Sequence, residues 1–226
     1  SEMFGNRGRK ALEVSREILE NYDFSHSRIT TKLIHKQHGM LADIIEEARQ
    51  GQYHAIVLGR RGYSIFEKAL HPGLPDQFVK SGIDFPIWIC RRPGRSLKNI
   101  LLCVDGSDVS RDVAQHIGSI AGREEQHRID LFHVTSGNRQ EAEQILQTIK
   151  GGLIDHGIRD ERITDVVAET SDVAKAIEEQ AYRGAYAVVA VGQSKKEGRP
   201  PGKWFIGSNS IKLIGMLDRA ALWVCA

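Results

Sequence analysis

Ile100-Leu101-Leu102-Cys103-Val104 is a run of five apolar residues that stops at Asp105-Gly106-Ser107. An apolar run bounded by an Asp-Gly turn reads as a strand covered on both faces. Ser107 or Asp108 then stands where a helix N-cap belongs, and Val113, Ile117, Ile120 and Ala121 follow at helical spacing across 109–122. From this unit the alternation continues: strand 129–134, helix 139–156, strand 163–168, helix 172–183, strand 186–191, a helix starting near Ser208 or Ser210, and strand 221–225. Strands alternating with helices demand right-handed crossovers and a mostly parallel sheet. The expectation for residues 97–226 is therefore a doubly wound, five-stranded α/β domain. Its ligand site belongs outside the carboxyl ends of the strands, where the strand order reverses.

The same pattern occurs twice. Residues 53–59 (YHAIVLG) align with 186–192 (YAVVAVG) at an offset of 133. Residues 44–48 (IIEEA) align with 177–181 (IEEQA) at the same offset, and Gly51 with Gly184. Gly5-Asn6-Arg7 aligns with Gly137-Asn138-Arg139 at 132, and residues 86–90 (PIWIC) with 221–225 (ALWVC) at 135. A two-copy repeat of this length is a duplicated domain; solenoid periods are only about 20–50 residues. The expected division is a first copy over 1–96 and a second, complete copy over 97–226. Residues 97–136, forty in all, have no counterpart before Gly5. The first copy is thus expected to lack its first two strands and first helix. A sheet without them has unpaired backbone and an open apolar seam. The expectation is that roughly forty further residues precede it, by the repeat arithmetic, or that another chain fills the gap.

Composition is that of an ordinary globular chain: 226 residues, 41% hydrophobic and 27% charged. Residues 1–96 carry 15 Lys/Arg against 11 Asp/Glu and residues 97–226 carry 16 against 18, for a net charge of +2. Neither half has the one-sided basic charge of a phosphate-backbone binder, so no nucleic-acid partner is expected. No stretch of about 18 apolar residues indicates a membrane span. The polar start SEMFGNRGRK is no signal peptide. Cys90, Cys103 and Cys225 lie in strand-like runs without a CxxC, which reads as buried free thiols in a reducing, cytoplasmic compartment.

Few residues speak for catalysis. There is no GxSxG, HExxH or Walker-type loop. His35 and His38 lack a third ligand nearby and read as a solvated loop. His133 reads as a partly buried, hydrogen-bonded strand residue. The arginine pairs 60–61 and 91–92 read as solvated faces. Two loops at carboxyl strand ends do suit a nucleotide. The first, Val104-Asp105-Gly106-Ser107, offers a carboxylate to amino or hydroxyl donors. The second, Gly192-Gln193-Ser194-Lys195 followed by Gly207-Ser208-Asn209-Ser210, offers glycine for close approach and a helix start for phosphate. Each alone is an ordinary turn or cap.

The strand ILLCVDGSDVS, the segments IDLFHVTS and EAEQIL, AVVAVG, and the terminal GSNSIKLIGMLDRAALWVC together resemble a tandem universal stress protein. The resemblance implies ATP or a related adenine nucleotide, Mg with it, held by a pattern of Gly, two residues, Gly, nine residues, then Gly-Ser or Gly-Thr. The first copy departs from that pattern: Gly59-Arg60-Arg61-Gly62 is followed after ten residues by Gly73-Leu74, between Pro72 and Pro75. The second has Lys195 at the second glycine and eleven residues before Gly207-Ser208. Carry-over therefore falls on the second copy. Asp105 would meet the adenine or ribose side, Gly192 would let the backbone approach the ribose or phosphates, and Gly207, Ser208 and Ser210 would meet the phosphates. Val104, Gly106, Ser107, Val134, Ser194 and Asn209 complete the candidate binding set. The Cβ of Lys195 blocks an approach that glycine permits, or its ammonium pairs with a phosphate. The resemblance also implies that the final strands, with Trp88 and Trp223, pack the copies as an internal pseudo-dimer or form a homo-oligomer. Three readings follow: a nucleotide-responsive stress protein without strong catalysis, an interaction module with degenerate sites, and a slow ATPase. No residue is placed to activate water for the last.

Overall fold

The computed structural model describes residues 2–35, 37–59, 85–90, 96–123, 125–193 and 208–225. By compactness the chain divides at Asp43/Ile44; the 96/97 boundary is one of sequence repeat.

In residues 1–43, helix α1 (Glu2–Glu20) is followed by a 3-10 turn at His26–Arg28. Residues 26–30 (HSRIT) repeat 160–164 (DERIT), where a 3-10 turn leads into a strand. Residues 29–35 take no strand pairing. The alignment of Gly5-Asn6-Arg7 with 137–139 is not mirrored locally. Asn138 caps a helix, its Oδ1 accepting from the Glu141 N–H at 3.2 Å, whereas Asn6 lies inside α1. At the start of helix α2 (Met40–Gln50), the Gln37 and His38 N–H groups donate to the Asp43 carboxylate at 3.0 and 2.9 Å. These bonds hold its carboxyl below the usual range. That occupies the His35–His38 loop, and no described group of three His, Cys, Asp or Glu is placed to hold a metal.

Residues 44–226 build one seven-stranded sheet. Its strands are β1 (Ile56–Leu58), β2 (Ile87–Ile89), β3 (Ile100–Val104), β4 (Ile129–Thr135), β5 (Ile163–Glu169), β6 (Val188–Gly192) and β7 (Ala221–Cys225), in the order β1-β2-β7-β6-β3-β4-β5. All pairs are parallel except β2–β7. The five-stranded arrangement expected for the C-terminal part is present as β7-β6-β3-β4-β5, with the doubly wound reversal between β3 and β6. Helices α3 (Asp108–Ala121), α4 (Arg139–Asp155), α5 (Val173–Gly184) and α6 (Ser208–Met216) are its crossovers. Leu102, Val113, Ile117, Ile129, Leu131 and Leu153 lie in the core between sheet and helices. Tyr186, expected to start β6, lies ahead of it. Its hydroxyl donates to Asp130 Oδ2 and accepts from Gln180 Nε2, and the residue before it, Ala185, is in the left-handed region at φ +51°, which ends the helix just ahead of the strand. No described helix is long and apolar enough to cross a membrane.

The β1–β2 register repeats the β6–β7 register. Ile56 faces Ile87, Val57 faces Trp88 and Leu58 faces Ile89. Shifted by 133 and 135, these pairs become Val189–Leu222, Ala190–Trp223 and Val191–Val224. The antiparallel β2–β7 pair has Trp88 opposite Trp223, flanked by Ile87–Val224 and Ile89–Leu222. The two indoles stack at 4.0 Å and 7°. Trp88 Nε1–H donates to His116 Nε2 at 3.2 Å, which requires a neutral imidazole.

Burial, and secondarily His54, lower the His116 pKa. A lowered histidine pKa means the unfolded chain binds the extra proton first. Stability from this site is therefore expected to fall as pH drops below about 6.5. Thermal melts at pH 8 and 5.5 check this: His116→Gln, which accepts without titrating, should narrow the difference, and an unchanged difference would contradict it.

Candidate functional site

The turn after β3 is tied by its own side chains. Asp105 Oδ1 accepts from Ser107 N at 3.0 Å, Ser107 Oγ at 2.6 Å and Ser110 Oγ at 2.7 Å. Ser110 Oγ in turn accepts from the Asp105 N–H at 2.9 Å. Burial raises the Asp105 carboxyl, but the serine hydrogen bonds outweigh it, so the net shift is downward and the group is a carboxylate at neutral pH. Gly106 makes the turn at φ +83°, a backbone region that glycine reaches without strain. Ser107 caps α3, its Oγ accepting from Ser110 N at 3.3 Å. Ser107→Ala is expected to cost about 0.5–2 kcal/mol, read as a lower denaturation midpoint at unchanged slope; an unchanged midpoint would remove the cap from the account.

Beside this turn a cavity of about 260 Å³ opens at the carboxyl ends of β3, β4 and β6. It lies where the strand order reverses, the expected place for a ligand in such a sheet. Its size is near the lower end of ligand pockets, roughly 300–1,000 Å³. One wall is apolar: Val109, Phe132, Val134, Val173, Ile177, Val191 and Leu213. The other wall is polar, formed by Asp105, Ser107, Ser110, Gln193 and the first turn of α6, Ser208-Asn209-Ser210. A helix start leaves backbone N–H groups without intrahelical acceptors and favours anions. Gly192 lies at the cavity floor, where an added Cβ would come within 2.8 Å of Val109 Cγ1.

Of the residues expected at a site, the structure brings together Val104, Asp105, Ser107, Val134, Gly192, Ser208, Asn209 and Ser210. Gly106 faces away, against Ile145. Ser194, Lys195 and Gly207 lie outside the described residues, as do Gly62, Gly73 and Leu74 of the first copy. Ser210 Oγ is turned to the Gly192 carbonyl at 3.4 Å, and Ser210 is buried. His133, expected to be partly buried and hydrogen-bonded, is buried, its Nδ1–H donating to the Val104 carbonyl at 2.8 Å.

Ser110, Phe132 and Ile177 line the cavity without having been singled out from sequence, and Gln193 of the second candidate loop lines it too. Ser110 carried a signal, a hydroxyl at an inward helical position beside Val109 and Val113. Gln193 is buried; its Nε2 donates to the Phe85 carbonyl at 3.5 Å, and its Oε1 has no partner among the described residues. All three cysteines are free thiols. Burial pushes the Cys225 thiol up to about 12 and raises Cys103 and Cys90 as well, so none is an activated nucleophile at neutral pH.

No family model and no curated protein matches the sequence. Solved structures do. A universal stress protein from Archaeoglobus fulgidus DSM 4304 superposes with a TM-score of 0.66 at 20% identity, covering 100% of this chain and 79% of its own. A functionally unknown protein from Pseudomonas aeruginosa PAO1 gives 0.58 at 18% identity, over 96% of this chain and 77% of its own. A universal stress protein in complex with cAMP covers 57% of this chain and 95% of its own at 19% identity and a TM-score of 0.44, where the ligand is a property of that protein. Taken with the sheet order and its crossovers, the superposition on the Archaeoglobus fulgidus DSM 4304 protein shows that the chain has the fold of the universal stress proteins.

Proposed function

We propose that this protein is a stress-response protein that binds an adenine nucleotide in the cavity between β3, β4 and β6. The observation that carries the reading is one cavity at the strand-order reversal lined by a carboxylate, a set of apolar side chains and a helix start. An adenine nucleotide carries a group for each: hydroxyl and amino donors, an apolar base face and a phosphate. Phe132, Val134, Val173 and Ile177 would cover the base. With Asp105 Oδ1 saturated by three donors, Oδ2 would accept from a ribose hydroxyl or the exocyclic amine. The N–H groups at Ser208 and Asn209 would meet a phosphate. Mg would enter with the phosphates. The nucleotide would act as a positional ligand rather than a substrate, biasing which partners the protein meets.

We also read residues 1–96 and 97–226 as two copies of one domain, joined at β2 and β7. The matching registers of β1–β2 and β6–β7 support this, with the Trp88–Trp223 stack at the junction.

Mass spectrometry of the supernatant from denatured, freshly purified protein tests the nucleotide reading. An adenine nucleotide is the expected mass. A protein that releases none and takes none up from a saturating ATP solution would move the weight to a pure interaction module.

A further inference from the structure

Several polar side chains of the cavity wall are engaged within the protein. Asp105 Oδ1 takes three donors, two of them the hydroxyls of Ser107 and Ser110, and Ser210 Oγ is turned to the Gly192 carbonyl. Gln193 differs. It follows Gly192, the last residue of β6, lines the cavity and is 3% exposed. Its N–H donates to the Cys225 carbonyl at 2.8 Å, which fixes the backbone on β7. Its Nε2 makes only the long contact to the Phe85 carbonyl at 3.5 Å. Its Oε1 is buried with no donor among the described residues. An amide oxygen kept from water and left unpaired is a standing cost, and a ligand that brings a donor removes it.

Strand order says which part of a nucleotide can bring that donor. Beneath the cavity the strands run β4, β3, β6, β7. Phe132 and Val134 lie on β4, Asp105 follows β3, and Gln193 follows β6. The first turn of α6 stands beside the end of β6, through the contact of Ser210 with the Gly192 carbonyl. With the base over Phe132 and Val134 and the phosphate at Ser208 and Asn209, the sugar that joins them crosses the ends of β3 and β6. A phosphate brings no donor at neutral pH, and the exocyclic amine stays with the base. The ribose hydroxyls are the donors left.

On the adenine-nucleotide reading, which this assignment requires, we infer that Gln193 is a specificity-determining residue: its Oε1 accepts from a ribose hydroxyl and selects a ribonucleotide over a deoxy form. A site that pairs a buried polar group with a ligand hydroxyl discriminates against the analogue lacking it, because the group is then left unpaired.

Calorimetric titrations of ATP, 2′-deoxy-ATP and 3′-deoxy-ATP into the intact chain test this. The wild type is expected to bind ATP about fivefold or more tightly than the deoxy form that has lost the partner hydroxyl. Gln193→Met keeps the length of the side chain without its oxygen, and should bring that ratio below about twofold. Gln193→Glu retains an acceptor and should keep the preference. If methionine prevents folding, the side-chain amide resonances of Gln193 in the wild type give the same information: they should move with ATP and stay with the discriminated deoxy form. Equal affinity of the wild type for all three nucleotides overturns the inference and leaves the nucleotide reading standing. So does a preference that Gln193→Met leaves intact, which would put the hydroxyl on Asp105. A wild type that binds none of the three overturns the nucleotide reading and the role of Gln193 with it.

Discussion

Asp105→Ala is expected to weaken adenine-nucleotide binding by roughly 10- to 150-fold, the loss of a hydrogen bond to a charged group at about 1.5–3 kcal/mol. Alanine also removes the acceptor that Ser107 N, Ser107 Oγ and Ser110 Oγ share, so the turn before α3 loosens and the variant loses stability as well. Asp105→Asn separates the two effects. Its Oδ1 still accepts from the serines, while the second carboxylate oxygen becomes an N–H₂ that meets a ligand donor with another donor. Asparagine should therefore keep most of the melting temperature and lose the affinity. Wild-type affinity in the asparagine variant, measured by calorimetric titration, would show that the carboxylate only holds the loop.

The second large effect belongs to Trp223. It lies on β7, between β2 and β6, stacked on Trp88 and edge-on to His116 at 6.3 Å. Trp223→Ala opens a void at the one antiparallel junction of the sheet, at a cost of about 3–5 kcal/mol. For a unit of this size that lowers the melting temperature by roughly 6–20 °C. Trp223→Phe is expected to cost far less. The indole N–H of Trp223 is buried without a partner among the described residues, a penalty of about 1–3 kcal/mol that phenylalanine abolishes. Differential scanning calorimetry on both variants decides the matter. Equal losses for Phe and Ala would mean that the indole's polar edge is satisfied in solution and the stacking account is wrong.

The central strands β3, β6 and β7 were readable because both of their faces are covered. Ile100–Val104 and Ala221–Cys225 stand where their apolar runs place them. Helix ends shifted by a residue where the cap decides: Ser107 accepts from Ser110 N, so α3 begins at Asp108 rather than 109. The site was half legible. Asp105, Gln193 and Ser208–Ser210 sit on turns with recognisable chemistry, while Phe132 and Ile177 reach the cavity through the strand order, which no local pattern encodes. Gly106 shows the converse. Its Asp-Gly-Ser context points to a ligand, yet the φ of +83° turns it toward Ile145. Residues 29–35 follow a 3-10 turn as β5 does, yet take no strand pairing among the described residues, since a strand is made by its neighbour as much as by its own residues.

The central claim is that the cavity beside Asp105 holds an adenine nucleotide. Calorimetric titration of ATP into the nucleotide-free intact chain, with Asp105→Asn in parallel, tests it most directly. The account predicts saturable one-to-one binding in the wild type and a loss of at least tenfold in the variant. Absence of binding heat at saturating ATP, or identical isotherms for the two proteins, would contradict it.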